Sequence, residues 1–278
     1  MGEKTFRDLE RQGWLEKADA YRDIFGKITE QAITPILATF GDLSGKRFLD
    51  VGSGTGELTA EAAGRGATAE GLDFAATMVA KASQKYPRIP FREGDAEKLP
   101  YPDAHFDAAA CSFGLLHMTD ADRALQEARR VLKAGGRYTF TAWCGPEQGG
   151  DFFKLVTGAI REHGTLDVPL PPAPPMFRFA DTGECARALS HAGFAAPGTA
   201  SLQLNWQTED PRAILELIYK SVVRTPMVLR AQTEEARAHI HKAIISDAEH
   251  YRTQGVIHLR FPAVLATAVA ARTVLTAI

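Results

Sequence analysis

The sequence lacks the features that mark nucleic-acid-binding, membrane-spanning and metal-binding proteins. Lys and Arg number 32 against 34 Asp and Glu, and the net charge of −2 provides no basic surface for nucleic acid or an anionic membrane. The longest apolar run, residues 261–271, is shorter than the roughly 20 residues that a membrane-spanning helix needs. The cysteines Cys111, Cys144 and Cys185 do not have metal-ligand spacing.

These absences predict a protein without a bound metal, without integral membrane association and without nucleic acid as a partner. No apolar signal segment follows Met1, and separate free thiols are typical of a reducing compartment, so we expect a cytoplasmic location. The hydrophobic share of 45% and the charged share of 24% are those of an ordinary globular protein.

Strand-like and helix-like segments alternate through residues 46–143. This alternation favours a parallel sheet covered by helices on both faces. We expect five strands here and two more, at residues 199–206 and 264–269. We also expect Thr34 to cap a helix with Pro35 at its first position, and Gly135-Gly136 to end the helix that begins after Asp120. The predicted fold is therefore α/β, a doubly wound, seven-stranded, mostly parallel sheet with helical cap insertions.

The alternation stops at Gly145, before a stiff connector that has five prolines within residues 169–175. We expect helices again in the segments that follow it. The division we predict is an N-terminal helical cap (1–40), the core (41–144), an insertion (145–180), a second part of the core (181–208), a helical insertion (209–255) and the last core strand (256–278).

A glycine-rich turn follows the first strand. Gly52, Gly54 and Gly56 occupy every second position, and helix-prone residues start at Glu57. Glycine lets a ligand approach the main chain, and the N-terminus of the new helix presents unpaired N–H groups and a partial positive charge. The turn predicts a site for a nucleotide-like cofactor, although this spacing alone is a weak signal.

Carboxylates at the ends of neighbouring strands strengthen this prediction. Asp50 precedes the glycine turn, Asp73 ends the second strand 17 positions after Gly56 (73 − 56), and Asp95 follows the third strand. Parallel strands end at one edge of a sheet, where open α/β sheets bind their ligands. A nicotinamide or flavin protein would favour Gly-x-Gly-x-x-Gly, which differs from the spacing found here.

Taken together, these segments resemble the class I S-adenosylmethionine-dependent methyltransferases of the ubiquinone/menaquinone-biosynthesis type, which have a Rossmann-like fold. The resemblance is strong over residues 46–143 and loose over residues 180–206. The segments that carry it are residues 49–56, 71–73, 93–100, 106–107 and 132–136.

The resemblance implies S-adenosylmethionine as the cofactor and a role for each matching residue. The backbone from Gly52 through Ser53 and Gly54 to Gly56 would pass beside the methionine part and the ribose. Asp50 would bind the amino end of the methionine part, and Asp73 would accept hydrogen bonds from the ribose hydroxyls. Phe74 and Met78 would pack on the adenine faces, and Asp95 would bind the adenine amino group, with the Ala96 amide beside it. Ser112 and Phe113 would line the site near the sulfonium.

A purely structural role remains an alternative for several of these residues. Asp50 and Asp95 also fit turn or cap positions, and Phe74 and Met78 fit ordinary packing between helix and sheet equally well. His117 is the titratable residue just past the fourth strand, and its neutral form can take a proton from an acceptor hydroxyl or enol near neutral pH. A histidine that only caps or packs the loop is the alternative to this catalytic assignment.

The segment after the fourth strand lacks the Asn/Asp-Pro-Pro-aromatic sequence of amino-group methyltransferases of adenine and glutamine. We therefore expect methyl transfer to an O or C acceptor on a small organic molecule, under a cap formed by residues 6–25, 145–180 and 211–251. The candidate cap residues, each of which also fits core packing, are Trp14, Tyr21, Phe152, Phe153, Met176, Phe177, Tyr219 and Met227.

Other functions remain open from the sequence. One is an NAD(P)-dependent oxidoreductase, and another is a non-catalytic cofactor-binding protein of the same fold. A cyclopropane-forming lipid enzyme is a near relative, although no basic membrane-facing segment is present.

Overall fold

The computed structural model describes residues 4–271. The central sheet has the strand order β3-β2-β1-β4-β5-β8-β6, and the two-residue strand β7 pairs with β8 beside this path. The strands are β1 (Arg47–Val51), β2 (Thr68–Asp73), β3 (Phe91–Glu93), β4 (Phe106–Ser112), β5 (Leu132–Trp143), β6 (Phe194–Thr208), β7 (Arg252–Thr253) and β8 (Val256–Ala270).

Strands β1 to β5 pair in parallel, whereas β8 lies antiparallel between β5 and β6. The α-helices are α1 (Phe6–Tyr21), α2 (Lys27–Thr29), α3 (Ile33–Ala38), α4 (Glu57–Gly64), α5 (Ala76–Lys85), α6 (Ala121–Val131), α7 (Asp151–His163), α8 (Thr182–His191), α9 (Ala213–Ser221), α10 (Arg224–Arg230) and α11 (Glu234–Ala248). The predicted α/β class, with a mostly parallel sheet flanked by helices, is confirmed.

Both faces of the sheet are covered, because neighbouring residues of the central strands point to opposite sides. Phe48 and Ala108 face one core cluster, which α7, α9 and α11 complete, whereas Leu49 and Ala109 face the other, which α6 and α8 complete. This is why the middle of each strand has apolar residues for both faces, Phe48-Leu49 in β1 and residues 108–111 in β4, as expected for buried parallel strands. In the described residues no helix combines the length and apolarity needed to cross a membrane.

Strand β1 lies at the point where the strand order reverses, since the chain passes from β1 to β2 on one side and reaches β4 on the other. Such a switch point opens a crevice between the two loops that leave the sheet there. The glycine turn after β1 and the turn after β4 are those two loops, so the topology places the candidate site between them.

The element boundaries differ from the predictions in places where neighbouring segments decide them. Thr34 does not cap α3, because a 3-10 turn at Glu30–Ala32 leads into that helix and Ala32 is its N-cap. Pro35 still lies in the first helical turn, where a missing N–H is tolerated.

The glycine pair Gly135-Gly136 does not end α6, which stops at Val131. Leu132 already pairs with Phe106, and the β4–β5 register shifts before Arg137. The positive φ of Gly135, 81°, belongs to a bulge inside β5.

Three strands also have different limits from those predicted. Strand β8 covers Val256–Ala270 instead of residues 264–269, and β6 covers Phe194–Thr208 instead of 199–206. Both are longer because they pair with each other far beyond the end of β5. The third strand, expected at residues 89–92, is Phe91–Glu93, which is where pairing with β2 occurs.

Candidate functional site

The glycine turn after β1 is shaped by close packing on one side and is open on the other. Gly56 is the N-cap of α4 with φ of 90°, and a Cβ there would lie 2.6 Å from Cζ of Phe91. A Cβ on Gly54, in contrast, would meet nothing within 4 Å. The backbone at Gly54 is therefore accessible to a ligand, whereas Gly56 is glycine for steric and conformational reasons.

Asp73, at the end of β2, is held by backbone N–H groups. Gly54 donates to its Oδ2 at 2.9 Å, and Ala75 donates to its Oδ1 at 2.9 Å. Burial raises the pKa of Asp73 although these N–H groups oppose the effect. Each carboxylate oxygen keeps further lone-pair capacity for a ligand hydroxyl.

Asp50 and Ser53 lie beneath the turn and do not line the pocket. Thr59 donates its hydroxyl to Asp50 Oδ2 at 2.7 Å, whereas Asp50 Oδ1 and Ser53 Oγ are buried without a partner among the described residues. Burial raises the pKa of Asp50 to about 7. Two unsatisfied polar atoms at a glycine turn indicate a site that a polar ligand or ordered water completes.

The tip of β3 is covered by the N-terminal helix. Asp95 accepts the backbone N–H of Glu97 at 2.9 Å, and its other oxygen is paired with the guanidinium of Arg7 on α1. Arg11 on the same helix bonds Glu93 at 2.5 Å. Helix α1 is thus attached by ion pairs over the predicted adenine end of the site.

The turn after β4 has an unusual backbone conformation. Phe113 has φ of 53°, a region that residues with a side chain rarely adopt. Its N–H donates to Thr141 Oγ1 at 3.0 Å, and its ring stacks on Trp143 with centroids 3.8 Å apart. A non-glycine residue held in this conformation is typical of functional sites, where the surrounding structure offsets about 1–3 kcal/mol of strain.

His117 contacts a buried ion pair that the sequence did not predict. Its Nδ1 lies 2.7 Å from Glu10 Oε2, and Nε of Arg224 donates to Glu10 Oε1 at 2.9 Å. Burial alone would raise the pKa of Glu10, but His117 and Arg224 together lower it below its usual value. Trp14 packs edge-on against the imidazole, with ring centroids 5.0 Å apart.

One pocket joins these parts, with a volume of about 1210 Å³ including its open mouth. The predicted cofactor residues that line it are Gly52, Gly54, Asp73, Phe74, Met78, Asp95, Ala96, Ser112 and Phe113. It is also lined by His117, by Arg7 and Arg224, and by Trp14, Tyr21, Phe25, Trp143, Phe152, Phe153 and Met176. Trp14 and Tyr21 belong with Phe74 and Met78 to one small apolar cluster. Of the twelve predicted cofactor residues, Asp50, Ser53 and Gly56 do not reach the pocket.

The residues proposed as a cap separate into two groups. Trp14, Tyr21, Phe152, Phe153 and Met176 line the pocket, whereas Phe177, Tyr219 and Met227 are not among its lining residues.

Sequence reasoning missed Arg7, Glu10 and Arg224. For Glu10 a signal was present, because the carboxylate stands at helical spacing between the aromatic residues Phe6 and Trp14 of α1. A charge between two such residues calls for a partner.

Comparison with known proteins identifies part of the chain. Residues 49–140 match the model of the methyltransferase domain family. The demethylmenaquinone methyltransferase of Deinococcus radiodurans is 42% identical over 120 residues, which cover 40% of this chain and 50% of that protein. The ubiquinone/menaquinone biosynthesis C-methyltransferase UbiE of Caulobacter sp. is 37% identical over 116 residues, covering 37% of this chain and 46% of that protein.

The chain thus spans about half the length of these curated relatives. Among solved structures, phosphoethanolamine N-methyltransferase 2 of Haemonchus contortus, in complex with phosphomonomethylethanolamine and S-adenosylhomocysteine, aligns with a TM-score of 0.59 at 18% identity. The alignment covers 97% of this chain and 61% of that one. At this identity the likeness concerns the fold.

Proposed function

Residues 49–140 form a methyltransferase domain of the kind that the motifs predict, and from this premise we propose that the chain transfers a methyl group from S-adenosylmethionine to a small organic molecule. The acceptor is a largely apolar compound that is methylated on oxygen or carbon. The proposal concerns the chain as a whole, including the segments outside the matched residues.

The observation that carries the proposal is a single pocket whose lining combines the polar ends of the central strands with a set of aromatic rings. The carboxyl ends of β1 to β4 supply backbone, carboxylates and small residues, and Trp143, Phe152 and Phe153 are among the rings that line the same pocket. Phe113 belongs to both sets, because it follows β4 and stacks on Trp143, so a donor at the strand ends and an acceptor among the rings would meet near it. Such an arrangement suits group transfer between two ligands held in line.

The residues present fit the cofactor. Gly54 leaves space at the main chain for the methionine part, and Asp73 has lone pairs free for the two ribose hydroxyls. Phe74 and Met78 provide apolar surface for the adenine ring, and Ala96 offers its amide beside Asp95. Asp95 already pairs with Arg7, so its bond to the adenine amino group would share the carboxylate with that guanidinium.

The residues beneath the turn act indirectly in this proposal. Asp50, Ser53 and Gly56 shape the loop from its buried side, and Asp50 additionally carries the charge opposite the amino end of the methionine part. Ser112 and Phe113 line the region of the sulfonium.

S-adenosylmethionine supplies an electrophilic methyl group when it is bound. The chain aligns the acceptor against the aromatic wall, where Phe113 stacks on Trp143, and it keeps water away through Phe152, Phe153 and the covering helix α1. His117 accepts the proton of the acceptor hydroxyl. Alignment accounts for much of the acceleration of such a reaction, and proton removal adds to it.

Calorimetry tests the cofactor assignment. S-adenosylhomocysteine is expected to bind with micromolar affinity, and NAD(H) and NADP(H) are expected to give no heat. Binding of a dinucleotide without S-adenosylhomocysteine would support the oxidoreductase alternative instead.

Transfer from methyl-labelled S-adenosylmethionine to a panel of hydroxyl-bearing aromatic compounds then tests catalysis. The panel includes 1,4-dihydroxynaphthalene, a flat two-ring quinol that suits the aromatic wall. Cofactor binding without consumption across the panel would favour the non-catalytic alternative.

Two further expectations belong to this proposal. The net charge of −2 and the aromatic rings that line the pocket support a small molecule as partner in preference to nucleic acid. The three free, buried thiols are consistent with a cytoplasmic location.

A further inference from the structure

The imidazole of His117 has one nitrogen engaged by the protein and one that is not. Nδ1 lies 2.7 Å from Glu10 Oε2, and in the described part of the chain no protein group bonds Nε2. The residue itself lines the pocket, and its side chain is 20% exposed, whereas that of Glu10 is 1% exposed. An ionised carboxylate only accepts hydrogen bonds, so Nδ1 must be the donor in this pair.

Glu10 is held in that role by Arg224. Nε of Arg224 donates to Glu10 Oε1 at 2.9 Å, and its other nitrogens bond the backbone oxygens of Pro174, at 3.0 Å, and Leu116. The guanidinium keeps the buried carboxylate ionised and occupies the oxygen that does not face His117. Both oxygens of Glu10 therefore have assigned partners.

Resting on the proposed methyl transfer, we propose that Glu10 is a positioning residue that fixes His117 in the Nδ1–H tautomer and thereby makes Nε2 the general base of the reaction. The base is assembled from segments far apart in the chain, since Glu10 lies on α1 and His117 follows β4. The contact between Glu10 and His117 consequently forms only when α1 packs over the ends of the strands.

Methyl transfer to the acceptor is coupled to the loss of its hydroxyl proton. The O–H bond of the acceptor breaks and its proton forms a bond to Nε2. The electron pair of the broken O–H bond then forms the new bond to the methyl carbon, either directly from oxygen or, through the conjugated ring, from a carbon atom. The bond between the methyl carbon and sulfur breaks, and its electron pair remains on sulfur. The resulting imidazolium is stabilised by the Glu10 carboxylate, and its proton passes to water after product release.

The charged groups that face His117 come from three elements. Glu10 on α1 is the anion in direct contact, Arg224 on α10 is the cation behind it, and Asp73 at the tip of β2 adds a second negative charge that interacts with His117.

The variant Glu10→Gln distinguishes positioning from simple packing. Nε of Arg224 can only donate a hydrogen bond, so the single oxygen of the new amide accepts from it. The amide NH₂ then faces His117 Nδ1 and forces that nitrogen to accept, so the ring proton moves to Nε2. The variant keeps the shape of the side chain but produces the tautomer that cannot act as a base from the pocket side.

Nitrogen-15 NMR of the histidine rings, with S-adenosylhomocysteine bound, reads the tautomer directly. The neutral ring of the wild type is expected to carry its proton on Nδ1, and that of Glu10→Gln is expected to carry it on Nε2. The control is Glu16→Gln on the same helix, an exposed carboxylate bonded to Gln12, which should leave the His117 signals unchanged. A wild type that retains the proton on Nε2 overturns the proposal whatever the fate of the variant.

Turnover of 1,4-dihydroxynaphthalene provides the second readout. Glu10→Gln is expected to lower kcat about 100-fold, within the range for general-base catalysis, with little change in KM or in affinity for S-adenosylhomocysteine. The double variant Glu10→Gln/His117→Gln should be no slower than His117→Gln alone, because Glu10 acts through His117. Additive losses, or an unchanged kcat in Glu10→Gln, would contradict the inference.

The two proposals fail in different ways. If the proposed function is wrong, the wild type neither binds S-adenosylhomocysteine nor consumes S-adenosylmethionine. If the positioning role of Glu10 is wrong, the wild type still binds S-adenosylhomocysteine and consumes S-adenosylmethionine. In that case the tautomer of His117, or the kcat of the double variant relative to His117→Gln, differs from the expected result.

Discussion

Replacing Asp50 by asparagine is expected to stabilise the ligand-free chain at neutral and alkaline pH. Asp50 is 1% exposed, and its Oδ1 has no partner among the described residues. Burial raises the pKa of Asp50 from 3.8 to about 7. The hydrogen bond from Thr59 offsets only part of this rise, and the negative charge of Asp73 adds to it. Ionised Asp50 is therefore a cost to the folded state.

The size and sign of the effect follow from proton linkage. One pKa unit corresponds to about 1.4 kcal/mol, so the shift of Asp50 amounts to about 4 kcal/mol as an upper bound. The folded chain holds this proton more tightly than the unfolded chain. The bound proton contributes fully to the free energy of unfolding below pH 3.8, the pKa of Asp50 in the unfolded chain. This contribution is lost as the pH rises through about 7, the pKa in the folded chain. Asparagine cannot ionise, so the variant avoids that loss.

Urea denaturation of the ligand-free protein at several pH values measures the prediction. The free energy of unfolding of Asp50→Asn should equal that of the wild type near pH 4 and exceed it by roughly 2–4 kcal/mol at pH 8. Asp42→Asn, at an exposed acid whose pKa is lowered by bonds from Ser44, is the control and should show no such gain. A difference that is independent of pH, or a loss at pH 8, would refute the reasoning.

The same variant should bind S-adenosylhomocysteine more weakly than the wild type. Because the proposed partner of Asp50 is a cationic ammonium, an uncharged side chain loses the attraction that offsets the buried charge. A more stable protein with poorer cofactor affinity is the expected combination, and calorimetry at pH 8 checks the second half of it.

Further variants test the packing of the site. Gly56→Ala forces a Cβ against Phe91 at a φ of 90° and should cost roughly 2–4 kcal/mol of unfolding free energy in denaturant titrations. Gly54→Ala, whose Cβ meets nothing within 4 Å, should cost about 1 kcal/mol but weaken S-adenosylhomocysteine binding measurably by calorimetry; equal stability losses in the two variants would contradict the geometry. Arg224→Met leaves the buried Glu10 without its guanidinium and should destabilise the chain by about 3 kcal/mol in the same titrations. A loss below about 1 kcal/mol would mean that the pair is well solvated.

Much of the cofactor site could be predicted because its signals are local. Most candidate residues lie at the end of a strand or in the turn after it, as Asp73 ends β2 and Ser112 ends β4, and parallel strands bring their ends to one edge. The alternation of strands and helices over residues 46–143 was likewise sufficient for the fold class. Local pattern and general topology decide these features together.

Element limits were less predictable wherever pairing partners decide them. The glycine pair at Gly135 has the composition of a helix end, yet Leu132 is already drawn into the sheet by its pairing with Phe106. Strand β8 extends as far as β6 offers hydrogen-bond partners, which its own composition does not show.

By itself the sequence determined where a nucleotide-like cofactor would lie, because a strand, a glycine turn and the acids at the strand ends are encoded within short segments. Only the tertiary structure decided what surrounds His117. Its partner Glu10 is 107 positions away, and Arg224 is 214 positions from Glu10. No local pattern links such residues, because their contact depends on how α1 packs over the finished sheet. The burial that gives Glu10 its effect arises only when that packing is complete.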